Sequence, residues 1–236
     1  MSSLKQYIDL FKENRATIDS HSIEAMNALR DKALEALEGK RLPVKGDENY
    51  EITDLEATFA PDYGVNINRF DFGADTANAF RCDVPNMSTW LYFAFNDTYY
   101  SSRTASIGMP EGVLVGSVRH FAATHSELIS RYYGTLAPLS NPTVALNTLL
   151  AQDALLIYIP KNVTLEKPLQ LVNILNATIP VMACRRVLIV LEENAHAKML
   201  VCDHTQNQEL DFLNTQVVEI FAGKNSSFDL YDLEES

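Results

Sequence analysis

Pro160-Lys161-Asn162-Val163, Glu192-Glu193-Asn194-Ala195 and Gly223-Lys224-Asn225-Ser226 are three corners in the back half of a 236-residue chain, each centred on asparagine. They recur at intervals of 32 and 31 residues, a spacing that signals stacked structural repeats. A shift of 31 residues lays Val187, Ile189, Ala197 and Met199 over Val218, Ile220, Phe228 and Leu230. All eight are apolar and share the parity that faces one side of a strand. Lys198 and Asp229 have the opposite parity and are expected to face outward. Asparagine and glycine suit such corners because they tolerate left-handed backbone angles. The Asn162 copy agrees less well. Leu155, Ile157 and Ile159 match upstream, but Lys167 and Pro168 fall where an inward residue is expected. The pattern predicts a right-handed parallel β-helix, with a β-sandwich of similar strand lengths as the alternative. Leu188, Val190, Leu200 and Phe221 are apolar on the outer parity. They predict a covering layer, from this chain or from a partner.

Composition narrows the function classes. The chain is 47% hydrophobic and 21% charged, as folded domains usually are. Nineteen basic residues against 31 acidic ones give a net charge of −12. Such a field repels phosphate backbones and anionic lipid, so nucleic-acid and membrane-surface partners are disfavoured. A basic partner surface or a metal ion would suit it better. No apolar run approaches the roughly 20 residues of a membrane-spanning helix. Met1 to Leu10 has neither the basic leader nor the apolar core of an export signal. Cys82, Cys184 and Cys202 are odd in number and form no CxxC. They predict reduced thiols and a cytoplasmic location instead of a disulfide framework.

The front of the chain reads as helical. Ser3 and Gln6 have the spacing of a capping box, followed by Leu4, Tyr7, Ile8 and Phe11 on one face. A second helix is expected after Ser20 or Ser22, with Ile23, Met26, Leu29, Ala33, Leu34 and Leu37 on one side and Gly39 and Pro43 at its end. These stripes are read as helix–helix packing. Trp90 to Phe95 reads as a buried strand, Gly108 to Gly112 as a turn, and Val113-Leu114-Val115 as the next strand. Ser126 to Tyr133 reads as a short helix ended by Gly134. The expected organisation is an N-terminal helical and mixed domain over residues 1–80 and a β-helix core over 81–236, mainly β with α.

Ala145-Leu146-Asn147-Thr148 through Gln152-Asp153, Tyr158 to Val163, and Pro168-Leu169-Gln170 resemble the SufB/SufD family of iron–sulfur cluster assembly proteins. Further blocks share the resemblance. These are Arg185-Arg186 leading into Leu188 to Glu192, Phe228 to Ser236, and Gly112 to Ser117. Leu42-Pro43 followed by Glu48, Tyr50 and Thr53 is similar to the segment that joins the helical domain to the core in SufD-like members. The resemblance covers roughly residues 40–236, and the N-terminal helices favour the SufD-like branch. It implies a right-handed parallel β-helix behind a helical domain. It also implies a cytosolic hetero-oligomer with a SufB-like paralogue and a SufC-like ATPase, or a homodimer in isolation. Within such a complex the cargo is iron or a nascent iron–sulfur cluster, and the subunit supports assembly and iron entry without catalysis of its own. Members of the family continue past a segment of this kind, so the chain reads as the front portion of a longer protein. The family's functional histidine is expected beyond Ser236 and maps onto no residue here.

Few residues suggest chemistry. His196, Cys202 and His204 share strand parity, and thiolate with imidazole is a set that binds iron or zinc. Residues 196 and 204 lie about 26 Å apart in an extended strand, so only Cys202 and His204 could share an ion. The plainer reading is a covered cysteine and a polar corner histidine. His120 and His125 could serve acid–base work but lack a nucleophile context, and Asp203-His204 lacks the third member of a triad. Gly108 to Gly112 lacks the lysine of a phosphate loop, which leaves nucleotide handling to a partner. Asp229, Asp232, Glu234 and Glu235 form an acidic run, read as a solvated face before a cation site. The competing functions are a carbohydrate-active enzyme on a β-helix and a metal-binding chaperone using Cys202 and His204. The leading expectation is a scaffold subunit that is not an enzyme.

Overall fold

The structure is a computed structural model that describes residues 2–69, 88–101, 107–207 and 209–235. Cys82 and the expected boundary near residue 80 lie outside these residues. Two sheets form the β part of the described residues. The first has the order β2-β1-β5-β7-β9 and the second β3-β4-β6-β8. Here β1 is Trp90–Phe95, β2 Thr98–Ser101, β3 Leu114–Ser117, β4 Leu155–Ile159 and β5 Leu169–Leu175. The longer strands follow: β6 Val181–Leu191, β7 His196–Thr205, β8 Phe212–Ala222 and β9 Ser227–Glu235.

From β4 onward the chain alternates between the sheets, and each strand pairs parallel with the strand two elements away. Val187 pairs with Val218, Ile189 with Ile220, Ala197 with Phe228 and Met199 with Leu230, the shift of 31 read from the sequence. Val187, Ile189, Ala197 and Met199 join Leu155, Ile157, Leu169 and Leu171 in one buried apolar cluster between the sheets. Lys198 and Asp229 do face outward and form a 3.1 Å ion pair. Parallel neighbours of this kind differ from the antiparallel pairing of a β-sandwich.

The corners explain the register. Asn162, Asn194 and Asn225 have φ of 62°, 56° and 57°, the left-handed region that asparagine tolerates best among residues with a side chain. Their amides form a ladder. Asn225 Nδ2 donates to Asn194 Oδ1 at 3.2 Å, and Asn194 Nδ2 donates to Asn162 Oδ1 at 2.8 Å. The poor match of the Asn162 copy also has a cause. Thr164 stands opposite His196, and Leu169 stands opposite Met199. Five steps along the earlier segment therefore cover three along the later one, and two residues bulge out. Lys167 lies in that bulge with its Nζ 5.8 Å from the Trp90 ring centroid, so it never occupies an inward position.

Helices cover the second sheet. They are α1 Ser3–Ser20, α2 Glu24–Asn27, α3 Arg30–Leu37, α4 Leu55–Thr58, α5 Val118–Phe121, α6 Ser126–Tyr132 and α7 Pro142–Leu150. Leu188 and Val190 pack with Leu4, Tyr7, Phe11 and the α7 residues Leu146 and Leu149 in a second cluster, and Phe221 packs against its edge. The cover expected over the outer apolar residues is thus a layer of this chain for those three, and Leu200 is buried on the first sheet. The layer draws on residues from both sides of position 80.

Two helix readings need correction. The capping box at Ser3 and Gln6 does not form. Ser2 occupies the N-cap position without a side-chain cap bond. The Glu56 carboxylate instead accepts from Ser3 N, and Gln6 Nε2 donates to Phe59 O at 2.8 Å. The expected second helix is two helices broken at Ala28 and Leu29. Asn27 and Arg30 flank the break and are drawn elsewhere: Asn27 Nδ2 donates to Asp19 O, and Arg30 reaches the end of α7. Side-chain bonds of this kind compete with helix continuity. The face itself holds, with Met26, Ala33 and Leu37 buried and Gly39 at φ 66° after the end.

Asn194→Ala should lower stability by about 2 kcal/mol, because it loses both ladder bonds and puts alanine in a left-handed conformation. Asn194→Gly keeps the backbone freedom and should lose only about 1 kcal/mol. Urea unfolding of the two variants measures the difference. Equal losses would show that the corner conformation is not what the asparagine supplies.

Candidate functional site

Cys202 and His204 sit on β7 with the shared parity expected of them. Cys202 is buried, pairs in register with Val172 and Leu233, and has Gln170 Nε2 at 3.9 Å from its sulfur. His204 pairs in register with Ile174 and Glu235. Among the described residues no three His, Cys, Asp or Glu side chains come together around a metal-sized space. The pair alone falls short of the four ligands of a structural zinc site. His196 stands apart, with Nδ1 2.8 Å from Ser227 Oγ on the neighbouring rung. Asp203 is not available to His204 as a triad acid, since Arg185 takes it at 2.9 Å. His125 Nδ1 lies 2.8 Å from Thr124 Oγ1. His120 borders a cleft of about 540 Å³ between Tyr92, Tyr99, Val115 and Ser117. In the acidic run, Asp229 is already paired with Lys198.

The charged groups that the structure does bring together centre on Arg185-Arg186. The two are neighbours on β6, so they leave the sheet on opposite faces. Arg185 points between the sheets, is fully buried, donates from Nε to Asn96 O at 2.5 Å, and pairs with Asp203. Burial pulls its guanidinium pKa down, and the Asp203 carboxylate opposes that shift. The polar interior continues through Asp97 and Arg69, paired at 2.9 Å, to Asp153 at 3.8 Å from Arg69. Ser117 Oγ closes the chain with 2.8 Å contacts to both Asp153 oxygens. Burial pushes the Asp97 and Asp153 carboxyls up, and Arg69 pulls both back down.

Arg186 points into the helical layer. It pairs with Glu219 at 2.8 Å, and its Nη1 donates to Thr148 Oγ1 at 2.9 Å. Arg30 performs the matching task for α7. It is fully buried and donates to Thr148 O at 3.2 Å, Leu149 O at 2.5 Å and Ala151 O at 2.9 Å. These carbonyls end a helix and have no partner within it. Asn147 adds a third tie, donating from Nδ2 to Arg185 O and Thr215 O at 3.1 and 3.0 Å.

Buried charges are tolerated only when paired, so these groups are committed to joining the helices to the sheets. Arg185-Arg186, a family block in the sequence, has a two-sided role in the structure. Two adjacent arginines in Val181-Met-Ala-Cys-Arg-Arg-Val-Leu-Ile-Val-Leu191, otherwise apolar, demand a carboxylate on each face. Asp203 and Glu219 meet that demand. Arg30 carried no comparable signal, because an arginine on a helix is usually solvated.

With this geometry in place, the kinship of the chain is plain. A family model described as SufBD protein N-terminal region matches residues 1–171. The chain belongs to the SufB/SufD family of iron–sulfur cluster assembly proteins. It is similar to an iron–sulfur cluster assembly SufBD family protein of Synechocystis sp., with 26% identity over 208 residues, 84% of this chain and 45% of that protein. It is also similar to a chloroplastic SufBD family protein of Arabidopsis thaliana, with 29% identity over 116 residues, 49% of this chain and 21% of that protein. The chain thus spans less than half the length of these curated relatives. No helix among the described residues is long and apolar enough to cross a membrane.

Burial pushes the Cys184 thiol up to about 12. At pH 8 about one molecule in ten thousand would then carry the thiolate there. Iodoacetamide should leave Cys184 unmodified in the folded chain and alkylate it fully in urea, as peptide mass spectrometry would show. Rapid native alkylation would contradict the packing around β6.

Proposed function

We propose that this chain acts as a SufD-like scaffold subunit in iron–sulfur cluster assembly, its alternating rungs wound as a right-handed parallel β-helix. One observation carries the reading within the family. The buried charges Arg30, Arg185, Arg186 and Glu219, with the half-buried Asp203, are spent on joining layers, and Cys184 is buried with its thiol pKa pushed up. Such a molecule presents surfaces and holds them rigid. That is the work of a scaffold and not of a reaction centre.

On this reading the subunit is not an enzyme and works in the cytoplasm, where thiols stay reduced. Its partners are a SufB-like paralogue and a SufC-like ATPase, the latter supplying the nucleotide chemistry for which Gly108 to Gly112 lacks a lysine. The net charge of −12 suits basic partner surfaces and the passage of iron. Iron or a nascent cluster is the cargo of the complex.

Affinity purification of the tagged full-length protein from its own host tests the proposal. An ATPase and a SufB-like paralogue should co-purify in fixed ratio, and should be lost together when the tagged protein is unfolded. A lone monomer that binds neither when both are added back would reject it.

A further inference from the structure

The loop between α6 and α7 forms a nest of backbone N–H groups, and the chain itself supplies the anion. Gly134 N donates to Glu219 Oε2 at 2.9 Å, while Leu136 N and Ala137 N donate to Oε1 at 2.9 and 3.1 Å. Arg186 Nη2 adds the fourth donor, on Oε2 at 2.8 Å, and its guanidinium lies 4.8 Å from the centre of the Tyr133 ring. Each carboxylate oxygen therefore receives two donors, an arrangement made for a planar, two-oxygen anion. Gly134 makes the loop possible. Its φ is +70°, and an added Cβ would stand 2.2 Å from Leu29 Cδ1.

The position of Glu219 gives the nest a mechanical meaning. Among the described residues β8 pairs with β6 and packs side chains of one parity against the helical layer. Thr215 and Glu219, facing the helices, are buried. Leu213 packs on the helix-facing side, and three further contacts hold it. Asn147 bonds Thr215, the nest takes Glu219, and Tyr132 stacks edge-on against Phe221 with centroids 4.7 Å apart. Thr215 and Phe221 make weak neutral contacts. Glu219 makes a charge-assisted one that leaves Arg186 uncompensated when broken.

We propose that Glu219 and the 134–137 nest form a latch that locks β8 onto the helical layer, and that the nest is a carboxylate site able to hold a free small carboxylate when the Glu219 side chain is removed. The latch goes beyond the scaffold role and does not depend on it, because it concerns the internal holding of one strand.

Hydrogen exchange on the full chain tests it, comparing wild type, Glu219→Ala, Glu219→Gln, and Glu219→Ala with sodium formate or an equal concentration of sodium chloride. Glu219→Ala should speed exchange of the amides of residues 134–137 and 212–222 on the order of 100-fold, with β4 unchanged. Formate should restore most of the protection and chloride little. Glu219→Gln should fall between, since its amide oxygen still accepts while its NH2 group faces two donors. Acceleration spread evenly over β4, β6 and β8, or none at all, would overturn the latch. Protection that formate fails to restore would overturn the carboxylate site. If Glu219→Ala does not fold, Glu219→Gln decides in the same way, by whether its faster exchange is confined to 134–137 and 212–222.

Discussion

Three successive corners between the sheets turn on asparagines held in the left-handed region, and the parallel pairing of β4 to β9 depends on where those turns fall. A corner one residue early or late would slip the following strand and move its apolar residues to the opposite face. Because Asn162, Asn194 and Asn225 turn alike and bond to one another, Ile157, Ile189 and Ile220 come to lie in register across three rungs. The bulge before Leu169 shows how the constraint is kept. Two additional residues are looped out near Trp90, and the inward positions resume in phase. The corner is conserved in geometry from rung to rung while the segments beside it vary.

A second constraint joins the sheets to the helices. Arg185 and Arg186 are adjacent, so one strand sends a charge into each of two buried spaces. Each charge needs its own carboxylate, and the carboxylates come from different strands: Asp203 on β7 and Glu219 on β8. Burying such pairs adds little net stability compared with apolar packing, but losing one partner is costly. The arrangement therefore favours a single relative placement of the layers over higher stability. Arg30, tied to the last carbonyls of α7, fixes that helix over the same strands.

Much of this was legible in the sequence, and the parts that were not share a physical reason. The strand register could be read because its period repeats in both spacing and parity. The outward Lys198–Asp229 pair and the cover over Leu188 and Val190 followed from parity alone. The capping box at Ser3 failed because Glu56, distant in sequence, competes for the same N–H. The break at Ala28 depends on Asn27 and Arg30 bonding outside their own helix, which local periodicity does not reveal. The same holds for the candidate site. Cys202 and His204 were visible as residue types, but their surroundings come from β5 and β9. Glu219 looked like an ordinary alternating residue of a strand, and the nest that receives it lies 82 to 85 residues earlier.

The most direct test of the stacked strands uses the corner positions next to the asparagines. Nitroxide labels placed pairwise at Lys161, Glu193 and Lys224 report the distance from one lap to the next by electron paramagnetic resonance. Backbones on adjacent rungs lie about 4.8 Å apart and those two rungs apart about 10 Å. Strong dipolar broadening is therefore expected for 161 with 193 and for 193 with 224, and weaker broadening for 161 with 224. Labels more than about 20 Å apart for either adjacent pair, four times the rung spacing, would contradict the account.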